Sequence, residues 1–444
     1  MKNETKKIQV AILGGGITGS SIFHILSKYT NINSIALIEK AGKLGEINSK
    51  ENNNSQTLHF GDIEANYSTE KASSSKEASQ MVVRYLERLD KKDCDIYKKS
   101  HKMLLAVGEK EVATFEKRQN EFEQIFPNFK KITKEKIAKI EPEIVSGRKQ
   151  SEKIMAGYSE DGWVVDFGAL AKNLAQEATK NNPNAEIFTN TKVTSIAKKD
   201  GGFEIITNNG IFWADVVVVA MCSHSLMFAK ELGYGEEYSI LPVGGNFYTS
   251  SRKVLNGKVY TMQSGKLPFA GVHGDPNIHN ENETRFGPTA NVMPFLERNN
   301  IATFGDFLKS TLSDKQSAIA LLKVLSEKTL LTFLLKNLIY EIPYFGPRAY
   351  AKMCQKIIPT LRYEDFKNGK TKAGIRPQLI NNKTQKLQMG EIEIEGEKIL
   401  FNITPSPGAS ACIKNAVKSV NKTITFFEGK YSFDETAFKK DFLS

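Results

Sequence analysis

The chain is poor in the residues that build metal centres and disulfide frameworks. Its 444 residues include only four cysteines, which are widely scattered and form no C-x-x-C pair: Cys94, Cys222, Cys354 and Cys412. This scatter argues against a zinc site and against a disulfide framework, and it fits a reducing compartment. The six histidines form no H-x-x-x-H pair, so we expect no metal centre.

Long apolar runs are also missing. Residues 1–7 are mostly polar and charged and lead straight into the first apolar segment, with no apolar leader. We therefore expect a cytoplasmic protein rather than a secreted one. A hydrophobic content of 40% with 25% charged residues is typical of a globular chain, and the length suffices for two or three domains.

Acidic residues are in the minority. The chain has 61 Lys and Arg against 50 Asp and Glu, a formal net charge of +11. The basic residues are interleaved with acidic ones, and no helix-turn-helix, zinc-finger or RNP pattern is present, so we expect no nucleic-acid partner. A solvated basic surface and contact with an anionic membrane are both compatible with this charge.

What the chain does contain, almost at its start, is a dinucleotide-binding fingerprint. Gly14, Gly16 and Gly19 follow a short apolar run, and Glu39 ends a second apolar run twenty residues later. In the βαβ unit that this spacing predicts, Gly14 permits a tight turn, Gly16 lets a pyrophosphate approach the backbone and Gly19 lets helix and strand pack closely. The helix N-terminus faces the phosphates and Glu39 accepts hydrogen bonds from ribose hydroxyls. We therefore expect a bound dinucleotide.

The pattern after the fingerprint predicts a mixed α/β fold and favours FAD over NAD. The βα alternation stops near residue 49 and resumes near residue 161, as in large flavoproteins. Residues 49–75 predict a long functional loop, and the apolar spacing over residues 76–124 predicts helix. Further elements are predicted as strands at residues 186–220, 241–286 and 390–403, and as helices at residues 302–357.

These segments predict a discontinuous Rossmann-like FAD-binding domain into which a substrate domain is inserted. We assign the FAD-binding domain to residues 1–80, 145–235 and 370–444. The substrate domain, of antiparallel sheet plus helices, is assigned to residues 81–144 and 236–369.

Short motifs are dispersed over most of the chain. They are residues 14–19, 54–59 with Asn66-Tyr67, Gly162 with Val165-Asp166, and residues 285–290, 373–378 and 405–410. Together, in this order, they resemble the D-amino-acid-oxidase-type flavoprotein group and, within it, the malate:quinone oxidoreductase family, with L-2-hydroxyglutarate dehydrogenase as a near relative. One departure is Ala220-Met221-Cys222, where the group usually has a small residue and a glycine.

The resemblance implies FAD with its isoalloxazine between the two domains, near residues 56–60 and the turn at 406–410. A helix that opens at Pro407 would direct free N–H groups toward flavin N1 and C2=O, where negative charge develops on reduction. The predicted cofactor-binding residues are Gly14, Gly16, Ile17, Thr18, Gly19, Glu39, Lys40, Gln56, Thr57, Leu58, Val193, Cys222, Pro407, Gly408, Ala409 and Ser410.

Oxidation of an L-2-hydroxy acid requires a cation for the carboxylate, a base for the hydroxyl proton and a hydride acceptor. We predict Arg376 as the carboxylate clamp, because its planar fork matches a carboxylate bidentately, and Arg285 as the cation for a distal carboxylate. The predicted base is His273, oriented by Asp275, or else His59. A purely structural histidine in a Gly-rich turn is the alternative.

The predicted function is FAD-dependent oxidation of L-malate to oxaloacetate, with electrons passed to a membrane quinone. The apolar runs within residues 302–357 are interrupted by lysine and too short to span a bilayer. They would lie at the inner face of the cytoplasmic membrane, although buried core helices are the alternative. Competing functions are another L-2-hydroxy-acid dehydrogenase or oxidase such as L-2-hydroxyglutarate dehydrogenase, an amine-oxidising relative that uses oxygen, and a non-catalytic flavin-binding redox protein.

Overall fold

The fold comes from a computed structural model that describes residues 5–263, 271–366, 369–388, 390–405 and 407–443. The strands are β1 (Lys6–Leu13), β2 (Ile35–Ile38), β3 (Tyr97–Val107), β4 (Lys130–Thr133), β5 (Ile154–Val165), β6 (Ala185–Phe188), β7 (Val193–Lys199), β8 (Gly202–Thr207), β9 (Gly210–Val219), β10 (Tyr238–Ser250), β11 (Lys258–Thr261), β12 (His273–Pro276), β13 (Thr284–Gly287), β14 (Asn291–Val292), β15 (Lys370–Asn381), β16 (Lys386–Gln388), β17 (Ile392–Gly396) and β18 (Ile399–Ile403). The helices are α1 (Ile17–Tyr29), α2 (Thr69–Leu86), α3 (Glu109–Phe122), α4 (Lys134–Ile140), α5 (Pro142–Val145), α6 (Phe167–Asn181), α7 (Ser223–Glu231), α8 (Phe304–Thr311), α9 (Lys315–Ser326), α10 (Lys328–Ile339), α11 (Phe345–Cys354), α12 (Cys412–Thr425) and α13 (Glu435–Phe442).

The first sheet is built around the fingerprint strand β1. Its order is β17–β18–β9–β1–β2–β6, and β8 pairs with β9 and β7. Strands β18, β9, β1, β2 and β6 run parallel. Val216, Val217, Val218 and Val219 of β9 are fully buried, because a central parallel strand is covered on both faces. The mixed α/β fold is therefore confirmed.

Side chains of β1 alternate between the two faces of this sheet. Val10 and Ile12 belong to the core shared with α1, α6 and α12. Ala11 and Leu13 belong to the core on the other face, which includes residues of α7 and β8. Because successive strand side chains point to opposite faces, the apolar run before Gly14 supplies both cores and holds the glycine turn at the sheet edge.

The second sheet carries the remaining strands. Its order is β16–β15–β10–β13–β12–β11–β3–β5–β4, with β14 paired to β10. The pairs are antiparallel except for β11 with β3. Helices α9 and α10 pack on this sheet through Leu321, Val324 and Leu330 against Leu241 and Val243 of β10.

One predicted helix is partly wrong. The structure confirms α2 and α3 within residues 76–124 but places strand β3 between them. Met103 and Leu105 belong to one core and Leu104 and Ala106 to another, so this run is apolar on both faces of a sheet. Its spacing matched a helix by coincidence, since a short continuous apolar run has no distinctive period. The predicted loop is also shorter, because α2 begins at Thr69.

The pairing departs from the predicted domain boundaries at two places. β5, β15 and β16 fall in segments assigned to the FAD-binding domain, yet in the second sheet β5 pairs with β3, and β15 pairs with β10 and β16. The partners β3 and β10 lie far away in the chain, so local patterning does not identify them. The site residues of β15 therefore reach the cleft from the second sheet.

Candidate functional site

Loops that follow parallel strands of the first sheet meet at one edge and form a cleft. Strands β1, β2, β9 and β18 end at this edge, and residues just beyond each of them line one cavity of about 440 Å³. The carboxyl ends of parallel strands are where α/β folds bind ligands. Strands β12 and β15 of the second sheet add His273 and Arg376 to the same cavity.

Most of the predicted site residues line this cavity. Those that do so are Gly14, Gly16, Ile17, Thr18, Glu39, Lys40, Thr57, His59, Val193, Cys222, His273, Arg376, Pro407, Gly408, Ala409 and Ser410. Four others do not line it: Gly19, Gln56, Leu58 and Arg285. Ser406, part of the predicted turn, lies outside the described residues.

The three fingerprint glycines serve different ends. Gly14 has φ +110°, and a Cβ there would lie 2.5 Å from the Ala220 carbonyl oxygen, so the turn itself needs glycine. A Cβ on Gly19 would overlap the Gly14 carbonyl oxygen, which shows a packing role and explains its distance from the cavity. A Cβ on Gly16 would meet only the Ser49 hydroxyl, at 3.4 Å. Gly16 therefore opens onto the cleft.

Glu39 stabilises the loops at the end of β2. Its carboxylate accepts hydrogen bonds from the backbone amides of Gly15 at 2.6 Å and Ala41 at 2.8 Å. A carboxylate has about four acceptor positions, so both oxygens keep capacity for a further donor in the cavity. The neighbouring Lys40 pairs with Glu297, and burial lowers its pKa.

Two residues of the loop at 56–60, which was predicted to contact the flavin, have partners within the protein. The fully buried Gln56 accepts a hydrogen bond from the Ile278 amide at 3.0 Å and donates to the Glu51 carbonyl at 3.0 Å. Leu58 is 1% exposed and belongs to the apolar core. Both residues hold the loop that carries Thr57 and His59, so their predicted contact with the cofactor finds no support in the geometry.

The turn at Pro407–Ser410 begins as a short 3-10 helix that continues into α12. The amide of Gly408 donates to the Pro405 carbonyl at 2.9 Å, and the amide of Ser410 donates to the Pro407 carbonyl at 3.0 Å. These two amides are used within the turn, so they are not among the free N–H groups that were predicted to face the flavin. The Ser410 hydroxyl accepts from the His59 amide at 2.8 Å and ties the turn to the loop at residues 56–60.

Cys222, which belongs to the sequence departure at residues 220–222, has an unusual backbone conformation. Its φ is +55°, a region that glycine adopts readily and other residues seldom adopt. The Asn48 amide donates to its sulfur at 3.1 Å, and burial raises the pKa of the thiol. A neutral thiol therefore occupies a backbone conformation that favours glycine.

His273 sits in a buried polar cluster with Asp275. Their Nδ1 and Oδ2 atoms lie 2.5 Å apart, and the His273 ring stacks on Tyr260 with centroids 4.2 Å apart. Lys258 reaches the other carboxylate oxygen at 3.1 Å, and its charge, with His273, holds the pKa of Asp275 well below its usual value against the effect of burial. Burial lowers the pKa of His273, so the imidazole stays neutral to lower pH than an exposed one.

His59 forms a second histidine–carboxylate pair. Its Nδ1 contacts Glu64 Oε1, and the other Glu64 oxygen accepts from the Gly61 amide at 2.8 Å. The His59 ring lies edge-on to Tyr260, 6.0 Å away. The two candidate bases thus flank one tyrosine. Among the described side chains, no cluster of three or more His, Cys, Asp or Glu could hold a metal ion.

Arg376 enters the cavity from β15. Its Nη2 donates to the Thr289 carbonyl at 3.3 Å, and burial lowers its pKa to about 10, so it stays charged at neutral pH. Asn48 holds the adjacent backbone: its side-chain nitrogen donates to the Ile375 carbonyl at 3.0 Å, and its oxygen accepts from the Ile375 amide at 3.1 Å. The guanidinium therefore projects from a braced strand.

Arg285 behaves differently from Arg376. It is 1% exposed, and its guanidinium donates to the carbonyls of Asn52 at 3.2 Å and Asn54 at 3.1 Å. It also stacks over the Phe247 ring at 4.4 Å. A carboxylate would have to displace these contacts, so the geometry does not favour Arg285 as the predicted second clamp; it anchors the loop over the cleft.

Sequence reasoning missed several residues of the site. Lys258 and Tyr260 join His273 because β11 pairs with β12, and the available signal was a charged residue inside a short apolar strand. Asn48 and Glu64 lie in a polar loop where no spacing marked them. Their partners depend on contacts between distant segments.

Nearly all of the chain matches a protein-family model. The family model of malate:quinone oxidoreductase matches residues 6–436. A probable malate:quinone oxidoreductase of Campylobacter jejuni is 38% identical over 99% of both chains. A malate:quinone oxidoreductase of Helicobacter pylori is 37% identical over 98% of both chains.

Solved structures show the same fold at lower identity. L-alpha-glycerophosphate oxidase from Mycoplasma pneumoniae, with FAD bound, has a TM-score of 0.70 at 19% identity and is matched over 97% of both chains. Glycine oxidase from Geobacillus kaustophilus has a TM-score of 0.64 at 18% identity, over 98% of both chains. Together with the full-length sequence matches, this makes the chain an oxidoreductase that belongs to the malate:quinone oxidoreductase family.

Proposed function

We propose that this protein oxidises L-malate to oxaloacetate with bound FAD and passes the electrons to a membrane quinone. The observation that carries the proposal is one cleft in which a dinucleotide fingerprint meets the half-buried Arg376 and a histidine–carboxylate pair. Family membership supports malate and quinone as the substrates. The solved flavoenzymes of the same fold support FAD.

The residues at the first-sheet edge fit the ADP half of FAD. Gly16 leaves room for a pyrophosphate at the N-terminus of α1, where backbone N–H groups and the helix dipole favour negative charge. Glu39 retains acceptor capacity for ribose hydroxyls. Thr57 and the Pro407–Ser410 turn line the same cavity further along and would hold the isoalloxazine, which when bound supplies a hydride acceptor.

Three side chains would handle the substrate. Arg376 would bind a malate carboxylate through two parallel charge-assisted hydrogen bonds. His273 would take the hydroxyl proton on Nε2, since its Nδ1 faces Asp275, while the C2 hydrogen leaves as hydride. His59 is the alternative base. Asp275 would stabilise the imidazolium that forms.

L-malate should bleach the flavin of the purified protein under anaerobic conditions. A quinone analogue should then restore the colour, whereas NAD⁺ should not, because the proposed function passes the electrons to a quinone and not to a nicotinamide. Absorbance at the flavin maximum measures both steps.

An Arg376→Lys protein should need markedly more malate for the same bleaching, since lysine cannot form the bidentate contact.

Other acceptors and substrates define the contrary outcomes. Faster reduction by L-2-hydroxyglutarate would move the substrate to the related hydroxy-acid dehydrogenases. Rapid reoxidation by oxygen alone would indicate an oxidase. A bound flavin that no hydroxy acid or amine reduces would indicate a redox protein without catalysis.

Helices α8–α11 and their connecting loops present an unusual apolar surface. We define it by its exposed members: Phe304, Leu308, Leu312, Ile319, Leu322, Leu331, Leu335, Leu338, Ile339, Ile342, Tyr344 and Phe345. Leu322, Phe345 and Tyr344 are 67%, 70% and 81% exposed. Exposed apolar patches of this kind mark interaction sites.

We assign this apolar surface to the membrane interface at the inner face of the cytoplasmic membrane. No helix in the described part of the chain is long and apolar enough to cross a membrane. Lys323, Lys328 and Lys336 are exposed on the same helices and can meet anionic headgroups while the apolar side chains enter the interface. A quinone within the bilayer would thereby come within reach of the enzyme.

Replacing Leu322 and Leu335 together by glutamate should weaken binding to anionic phosphatidylglycerol vesicles by at least about tenfold. Burying one leucine contributes roughly 1.5–3 kcal/mol, and a carboxylate at the headgroups adds repulsion. Vesicle co-sedimentation measures the loss. Leu443→Glu is the matched control, because it changes an exposed leucine near the C-terminus that is not part of the apolar surface. Equal sedimentation of both variants would place the membrane contact elsewhere.

A further inference from the structure

Lys258 is a fully buried cation for which the proposed chemistry has no direct use. It is 1% exposed and lies at the start of β11. Its Nζ donates to the Thr57 hydroxyl at 2.9 Å and to Asp275 Oδ1 at 3.1 Å. Burying a charged lysine carries a desolvation cost even when it is paired, so the fold gives up some stability to keep a positive charge at this point.

The lysine reaches His273 through the shared carboxylate. Asp275 receives Lys258 on one oxygen and His273 on the other. An ionised carboxylate only accepts hydrogen bonds, so the ring nitrogen that faces it, Nδ1, carries the proton. Nε2 of a neutral ring is then the acceptor.

The charged and titratable groups near His273 lie on its own strand β12 and on the two strands paired with it, β11 and β13. Asp275 lies on the same strand, Lys258 and Tyr260 on β11, and Arg285 opposite Asp275 on β13. With Asp275 ionised and Lys258 and Arg285 protonated, the three sum to one positive charge. His59 lies on the far side of Tyr260.

We infer that Lys258 is a positioning residue: through Asp275 it keeps His273 neutral, with the proton on Nδ1 and Nε2 available to receive another. The inference rests on the proposed role of His273 as the base. Without Lys258, the negative charge of Asp275 is no longer balanced by the lysine, so it stabilises a protonated His273. His273 then holds a second proton at a pH where the parent ring is neutral. The lysine thus sets the pH range in which the base is ready.

NMR of protein labelled with ¹⁵N-histidine tests the inference without turnover. Only six imidazoles contribute signals, and His273→Asn identifies the one of interest. At pH 7 the parent should show protonated Nδ1 and unprotonated Nε2 on His273. In Lys258→Met the midpoint of the His273 titration should rise by about 1–3 pH units, the usual effect of removing a nearby like charge.

Lys102→Met is the matched control, since Lys102 is also buried and pairs with Asp62 at 2.7 Å. It should leave the His273 midpoint unchanged. The pH below which malate-dependent flavin reduction slows should be higher in Lys258→Met than in the parent, and it should be unchanged in Lys102→Met.

Two results would overturn the inference: a parent His273 protonated on Nε2 at pH 7, or a Lys258→Met protein with the parent midpoint. If Lys258→Met does not fold, Lys258→Gln takes its place: it removes the charge but keeps a donor toward Asp275, and it should raise the His273 midpoint in the same direction. Failure of malate to reduce the flavin, with the tautomer as expected, would contradict the proposed function and leave the charge arrangement standing.

Discussion

A Gly16→Val protein should fold and yet retain no FAD. The valine side chain would extend into the cleft, because a Cβ at this position meets only the Ser49 hydroxyl, at 3.4 Å. The backbone there does not need glycine for its own conformation, so the effect falls on the ligand. A clash of roughly 3 kcal/mol corresponds to about 100-fold weaker binding. Flavin absorbance per protein after gel filtration measures it, and circular dichroism reports the fold.

Gly305→Val is the matched control. Its added side chain meets nothing within 4 Å, and it should carry the same flavin content as the parent. Gly14→Val should instead fail to fold, since φ +110° and the Ala220 carbonyl exclude a side chain. A fully yellow Gly16→Val protein would place the pyrophosphate away from this turn.

His273→Asn should slow malate-dependent flavin reduction by about 10²–10⁴-fold, the usual contribution of a general base. Asparagine can still donate to Asp275 but cannot take a proton. Malate affinity should change little, because the carboxylate contact belongs to Arg376. Stopped-flow reduction at saturating malate measures the step.

The pH dependence of this variant has a defined sign. Burial lowers the pKa of His273, so the parent rate should persist below pH 6.5 and fall only as pH drops through that lowered pKa. The rate of His273→Asn should not show this fall at low pH. The difference between its rate and the parent rate should shrink as pH rises and solvent bases become available. His279→Asn, at a histidine that lies outside the cavity and contacts Asp166, should behave as the parent. A parent rate in His273→Asn would move the base to His59.

Local features of the sequence sufficed for the fingerprint. Gly14 and Gly16 act through backbone conformation and the N-terminus of the helix that they open, and both depend on neighbours within a few residues. The valine run Val216–Val219 of β9 was predictable for the same reason, since burial on both faces leaves a continuous β-branched run. The long amphipathic helices followed from their period.

Strand β3 shows where this reasoning ends. Its run Met103–Ala106 supplies two different cores, and only the pairing with β5 and β11 makes it a strand. The same limit applies to the two arginines. Arg376 and Arg285 look alike in the sequence, each within three residues of a glycine and a proline, yet one lines the cleft and the other binds loop carbonyls.

The sequence by itself determined the α/β class, the dinucleotide turn and the family, because these depend on local conformation, periodicity and short motifs in a constant order. Tertiary structure alone decided which polar and charged groups meet: Lys258 with Asp275, the Asn48 side chain with the Ile375 backbone, and Glu64 with His59. The physical reason is that a buried charge needs a partner. Which partner it finds depends on the register between strands and loops that the chain brings together from far apart.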